Sequence, residues 1–347
     1  MDIPAIASQL RTHIRPRAEA IDRDPQALAE SLAWLGEQGW LALRAPQIGG
    51  LTLSGVDYWR FQLEVAASSG ALAFLQTQHQ SAVALLAAHP EAVRAAHLAD
   101  TARGDCALGV SFAHLRRPDG GLQAIADGST YRLQGMVPWL TGYGFFRAAL
   151  VAARLPDRSV LLAWVPLTPG SGLGMSEPLE LLSMGVTGTV RLNFDHWRLP
   201  AEDVVAHLSA DWLEQRDRRS ILAPTAFNLG CACAALDWLE TQAAPAAETA
   251  QALWVRWHRL HQRIGSVLAG EARTWEEQLA LRVAAIALMQ QASQAALAAA
   301  SGAANTVGHP AQRYYREALA FSVLGQTAVV RQACLRSIAS QCHESVA

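Results

Sequence analysis

The chain has 347 residues, 51% of them hydrophobic and 17% charged, with a formal net charge of −2. That length suffices for two or three units around substantial cores, and the near-neutral balance gives no electrostatic case for nucleic acid or an anionic membrane as partner. The chain contains no lysine, which excludes a Schiff-base mechanism and a P-loop lysine and makes every basic side chain other than histidine an arginine fork suited to carboxylate or phosphate.

The opening Met1-Asp2-Ile3-Pro4 is acidic early and lacks a signal-peptide core. No uninterrupted apolar run approaches the ~20 residues of a membrane span. The five cysteines are an odd set. Cys231 and Cys233, two apart in a helical pattern, point in different directions, so the cysteines read as reduced, mostly buried thiols, with no metal site. A cytoplasmic protein is expected.

Residues 1–105 read as an N-terminal helical domain. Leu28, Leu32 and Leu35 recur on one helix face and Gly39 stops that helix. Ala45-Pro46-Gln47-Ile48-Gly49-Gly50-Leu51 reads as a loop. A helix starting near Ser54 carries Tyr58, Phe61, Leu63 and Val65. Another runs through Gln80 to Ala88, where His89-Pro90 breaks it and Pro90 suits the first turn of the next helix. Within it, His79 in Gln76-Thr77-Gln78-His79-Gln80 is either a satisfied interhelical hydrogen bond or a pocket wall.

Residues 106–205 change period. Cys106–Phe112, Leu122–Ala126, Tyr131–Met136, Ala148–Arg154, Val160–Pro166 and Val190–Trp197 are short β-friendly runs separated by Gly, Pro and Asp. Arg191, Asn193 and Asp195 alternate with Leu192, Phe194 and His196, as on a strand with unlike faces. An antiparallel β-barrel or sandwich is expected. Residues 206–347 return to helix, with long Ala- and Leu-rich stretches such as Thr274–Ala300, and read as an up-down helical bundle. The class is α+β, mainly α.

The run most suggestive of chemistry is Leu133-Gln134-Gly135-Met136-Val137-Pro138-Trp139-Leu140-Thr141-Gly142. It reads as a strand ending in an indole, then a hydroxyl two residues on. Residues i and i+2 of a strand share a face, so Trp139 and Thr141 would form a flat wall beside a small hydrogen-bonding group, suited to a planar aromatic cofactor. A core tryptophan followed by a turn is the other reading.

Three segments, in order, carry a wider resemblance: Gly39-Trp40-Leu41-Ala42-Leu43-Arg44-Ala45-Pro46, the Trp139-Leu140-Thr141 run, and Met184-Gly185-Val186-Thr187-Gly188-Thr189-Val190-Arg191-Leu192-Asn193-Phe194-Asp195 followed by Trp197-Arg198-Leu199-Pro200. Together they resemble the acyl-CoA dehydrogenase superfamily over roughly residues 27 to 335. The resemblance implies FAD as cofactor, with the indole of Trp139 against the flavin and the Thr141 hydroxyl at its N5 edge. It also implies a homodimer or homotetramer, and an acyl-thioester or related small-molecule substrate.

The chain departs from that pattern. The family's flavin-edge loop is replaced by Leu108-Gly109-Val110-Ser111-Phe112-Ala113-His114-Leu115-Arg116-Arg117-Pro118. Ser111 stands for the family's threonine, Arg116 and Arg117 are either a solvated loop or an anion clamp, and His114 is a weak candidate acid or base. Where the family keeps its catalytic carboxylate, Leu324-Gly325-Gln326-Thr327-Ala328-Val329 places Val329. The alternative position ahead of Leu229-Gly230 holds Arg219 or Ser220, with Asp217 near. An alkyl side chain cannot act as a general base. The family's diphosphate-binding runs have no clear counterpart. Arg313-Tyr314-Tyr315-Arg316 reads as a packed helix with a charged flank, and Trp254, His258 and His261 as surface and core rather than metal ligands. Three functions remain open: a flavin-dependent oxidoreductase of the superfamily, a flavin-dependent monooxygenase of the same fold, and a non-catalytic partner-binding protein whose flavin site has decayed.

Overall fold

The computed structural model describes residues 2–45, 52–117 and 121–344, with side chains described through 340. Residues 46–51 of the Pro-Gly loop, and Pro118, lie outside the described residues. The helices are α1 (Ile3–His13), α2 (Ala18–Ile21), α3 (Pro25–Glu37), α4 (Gly55–Ser68), α5 (Gly70–Ala87), α6 (Leu98–Arg103), α7 (Trp212–Arg219), α8 (Thr225–Glu240), α9 (Ala246–Leu268), α10 (Trp275–Ala300), α11 (Pro310–Val323) and α12 (Ala328–Glu344). The strands are β1 (Leu108–Ser111), β2 (Leu122–Asp127), β3 (Thr130–Leu140), β4 (Ala148–Arg154), β5 (Val160–Pro166), β6 (Leu173–Met175), β7 (Val190–Leu199) and β8 (Val204–Leu208). The expected order of helix, sheet, helix is what forms. Pro90, expected in a helical first turn, sits in a turn ahead of a short 3-10 segment, Val93–His97.

Packing groups these elements into two compact units that cut across that order. One holds 23–53 and 74–216, the other 2–22, 54–73 and 217–347.

The first unit is built on an eight-stranded sheet, paired β6-β7-β3-β2-β4-β5-β8 with β1 on β4. The sheet is mixed, which corrects the antiparallel barrel or sandwich read from the sequence: β1–β4 and β2–β4 are parallel. Between β1 and β4 the chain reverses twice, at the β2–β3 hairpin and after β3, so β4 returns in the direction of β1. Among the described residues β6 pairs only with β7 and β8 only with β5, which leaves the sheet with edges. Strands β4 and β5 are fully buried at nearly every position, as in a strand covered on both faces. Strand β7 alternates buried and exposed side chains up to Phe194. The alternation then fails, because Leu133 pairs with Trp197 and Gly135 with Phe194. That leaves Asp195 and His196 opposite Gln134, and His196 takes φ 48° at this bulge.

The second unit packs α8 against α4, α9, α10 and α11. Gly230 is where α8 crosses α4: a Cβ there would lie 2.5 Å from the Leu63 carbonyl oxygen, so only glycine allows the approach. The stretch Trp275–Asn305 is long and apolar enough, by length and composition, to cross a membrane. This departs from the expectation drawn from uninterrupted runs, because Gln290, Gln291, Ser293 and Gln294 interrupt the apolar run without spoiling its average. In the structure this helix packs against α8, α9, α11 and α12. Arg282 on it is fully buried and donates to Asn228 Oδ1 (3.0 Å) and to the Leu324 carbonyl (2.7 Å). The Arg313–Arg316 flank of α11 is ion-paired rather than solvated. Arg313 bonds Glu19 (2.7 Å) and Glu317 (2.8 Å), Arg316 bonds Asp22, and the buried Glu317 also accepts from the Gly70 N–H. A carboxylate and guanidinium this deeply buried persist only when paired.

Candidate functional site

The site lies in the sheet unit, where β1 and β3 end and β7 begins. His79 sets the start of β1. Its Nε2–H donates to the Thr101 carbonyl (2.9 Å) and its Nδ1 accepts the Leu108 N–H (3.0 Å). Both ring nitrogens are therefore committed and the tautomer is fixed. Burial pushes its pKa down to about 4. Gln80 does the same for the preceding chain, donating to the Trp40 carbonyl and accepting from the Leu43 N–H. The polar cluster is thus a set of satisfied interior hydrogen bonds, the first of the two readings.

Ser111 closes β1, and His114 lies three residues on in a 3-10 turn, Ala113–Arg116. The His114 Nε2–H donates to the Ala152 carbonyl at 2.8 Å, leaving Nδ1 as an acceptor 3.5 Å from Ser111 Oγ. Ser111 donates to the Trp139 carbonyl at 3.2 Å. Burial pushes His114 down to about 4, so it is neutral and its one ring proton is held by backbone. As an acid it has nothing to give; as a base it faces Ser111. Arg116 and Arg117 end the same turn with exposed side chains.

Proline shapes the end of β3. Val137 pairs with Leu192 and Leu140 with Val190, so Pro138 and Trp139 stand opposite the single Arg191. Pro138 has no N–H for a central strand, and a bulge is where such a residue is tolerated. Beyond the bulge Leu140 is fully buried, while Trp139 stays 57% exposed. Thr141 falls one residue past the strand and is buried at 8%. The alternation behind a same-face projection is interrupted here, and what places Thr141 is its partner across the sheet. Continuing the register from Leu140 and Val190 sets it opposite Thr189, and the two hydroxyl oxygens are 3.1 Å apart. The N–H groups of Gly142 and Tyr143 then donate to the Gly188 carbonyl. Gly188 (φ 61°) has no room for a Cβ, which would lie 2.2 Å from the Tyr143 carbonyl oxygen. Sequence reading missed Thr189, although Thr187-Gly188-Thr189 stands in a run it singled out.

The structure therefore brings together Ser111, His114, Trp139 and Thr141, all within one sheet end. Val329 is in the first turn of α12, 43% exposed; Arg219 ends α7 and Ser220 follows it. No cluster of metal-binding side chains occurs among the described residues. His261 stacks on Trp257 (4.9 Å) and His258 on Trp254 (5.6 Å), so these residues make an aromatic row. The residues at the sheet end fit a flavin. An indole more than half exposed and engaged by no other ring among the described residues offers a face to a planar cofactor, and a hydroxyl lies two residues away.

Residues 5–105 match the sequence family described as acyl-CoA dehydrogenase, N-terminal domain. A glutaryl-CoA dehydrogenase structure from Mycobacterium smegmatis superposes with a TM-score of 0.81 at 18% identity, covering 98% of this chain and 93% of that one. The chain has the acyl-CoA dehydrogenase fold. The superfamily resemblance carried by the three sequence runs is thereby borne out. Isovaleryl-CoA dehydrogenase, mitochondrial, from Pongo abelii is 25% identical over 219 residues, 58% of this chain and 51% of that protein. The chain spans about half the length of the curated relatives it matches. KijD3, solved with FMN and a dTDP-linked amino sugar, superposes with a TM-score of 0.74 at 18% identity over 98% and 94% of the two chains.

Proposed function

We propose that this acyl-CoA dehydrogenase-fold protein is a flavin-dependent oxidoreductase that holds FAD against Trp139, with Thr141 at the N5 edge, and acts on an acyl thioester or related small molecule. The observation that carries this reading is an exposed indole, stacked on no other ring among the described residues, two residues from a hydroxyl held in register by Thr189. Bound flavin would supply two-electron redox chemistry; the chain supplies the stacking face and the hydroxyl. Ser111 closes the same edge, and Arg116 and Arg117 supply positive charge to the loop beyond it. FMN is the competing cofactor, since the fold-mate KijD3 was solved with it.

One observation favours a second reading, a flavin-dependent monooxygenase. α,β-Desaturation needs a base for the α-proton, and Val329, Arg219 and Ser220 provide none at the two positions the resemblance assigns. Oxygen chemistry on reduced flavin does not require that base. A homodimer or homotetramer accords with the exposed row Tyr315, Leu319 and Val323, spaced four apart on α11.

The test is a titration of FAD and FMN into the parent and Trp139→Ala. Losing the stack, worth roughly 0.5–1.5 kcal/mol beyond area burial, should weaken binding about tenfold. Equal affinities would remove Trp139 from the site. A parent that binds neither flavin would favour the non-catalytic reading.

A further inference from the structure

We infer that Thr189 is a positioning residue that makes Thr141 an obligate hydrogen-bond donor, so that the site selects a ligand edge presenting an acceptor. Among the described residues the Thr189 hydroxyl has one hydrogen-bond partner, Thr141 Oγ1 at 3.1 Å. Thr189 is 1% exposed and Thr141 8%, so Thr141 is the member of the pair that a ligand can reach.

Each hydroxyl carries one proton. If Thr141 donated to Thr189, the Thr189 proton would be buried with no acceptor, which is the costly arrangement for a polar group. If Thr189 donates to Thr141, its own proton is satisfied, one lone pair of Thr141 is filled, and the Thr141 proton is released toward the ligand. The second arrangement leaves no orphaned donor and is the one this geometry selects. The backbone holds the pair in register: the N–H groups of Gly142 and Tyr143 bond the Gly188 carbonyl, and the Thr189 carbonyl accepts from the Leu179 N–H at 2.8 Å, so the two threonines stay opposite each other.

The inference rests on the flavin reading above and gives it a redox consequence. N5 of oxidised flavin is an acceptor, and N5 of two-electron-reduced flavin carries a proton and donates. A Thr141 locked as donor favours the oxidised form. Without Thr189 the Thr141 hydroxyl is free to rotate and to accept, and the reduced form gains.

The experiment measures affinity for oxidised and, anaerobically, for dithionite-reduced FAD (or FMN if that is the flavin bound) in the parent, Thr189→Val, Thr189→Ser and Thr141→Val. Thermal unfolding confirms that each variant is folded. The expected result for Thr189→Val is a shift of the oxidised-to-reduced affinity ratio toward the reduced form by about three- to tenfold. A tenfold shift is about 30 mV more positive for a two-electron couple. Thr189→Ser keeps the hydroxyl and should restore the parental ratio. A ratio unchanged within twofold in Thr189→Val, with Thr141→Val shifting it, would overturn the role of Thr189 while leaving flavin at this site. No change in either variant, or a parent that binds no flavin, would overturn both. Should Thr189→Val fail to fold, Thr189→Ser must match the parent and Thr189→Cys, a weak donor, must shift the ratio toward the reduced form; parental behaviour in Thr189→Cys would count against the role.

Discussion

Replacing His79 by phenylalanine should both destabilise the protein and remove part of its acid sensitivity. In the parent the ring satisfies a backbone carbonyl at Thr101 and a backbone N–H at Leu108, both in the interior. Phenylalanine fills the space and leaves both groups orphaned, at about 1–3 kcal/mol each, so the loss near pH 7.5 should be about 2–6 kcal/mol. The pH dependence follows from linkage. His79 has an ordinary value of 6.5 and a folded value of about 4. The folded value is depressed, so between the two the unfolded chain holds the extra proton. Stability is full above about 6.5 and falls as pH drops toward 4, by about 1.4 kcal/mol per pH unit in that window. Near pH 5 this one group costs about 2 kcal/mol relative to pH 7.5. His114, also near 4, adds a similar slope that the variant retains. Urea unfolding followed by tryptophan fluorescence at pH 7.5 and 5 measures the difference. The variant should be the weaker protein at pH 7.5, with the gap between the two narrowed by about 2 kcal/mol at pH 5. A gap that does not change with pH would refute the neutral, doubly bonded His79.

Asn228→Ala removes an acceptor from the fully buried Arg282 and should cost about 1.5–3 kcal/mol in urea unfolding; adding Arg282→Met should recover part of it, since an apolar replacement removes the stranded charge. Flavin reduction by a panel of acyl-CoA thioesters should be slow, by about 10²–10⁴-fold against an enzyme with a base; rapid stopped-flow bleaching would send the search for a base to Asp217 or His114. Replacing Arg116 and Arg117 together by Gln should weaken flavin or thioester binding more than about tenfold, most strongly at low salt; salt-independent parental affinity would make the pair a solvated turn.

Much of the fold is legible in the chain because its periods are clean. The runs at 148–154 and 160–166 form β4 and β5 at those limits, and Ser54 caps α4 as its position suggests. What was not legible depends on contacts distant in sequence. Strands β6 and β8 are too short, at three and five residues, to show a period. The parallel pairing of β1 with β4 joins residues about forty apart, and nothing local announces it. At this sheet end, residue type and spacing single out Trp139 and Thr141, but not how each side chain is placed. Alternation would have placed them, whereas the Pro138 bulge breaks alternation and the register with β7 brings Thr189 to Thr141. His79 illustrates the same limit: its sequence context shows a buried polar group, and only the fold shows that Thr101 and Leu108 satisfy it.

The most direct test of the account is the visible absorbance spectrum of the purified protein, before and after equilibration with FAD and gel filtration. Flavin binding at Trp139 and Thr141 predicts a retained flavin band at one equivalent per chain, shifted and resolved relative to free flavin, and diminished in Trp139→Ala. A protein that stays colourless after equilibration with FAD and with FMN would contradict it.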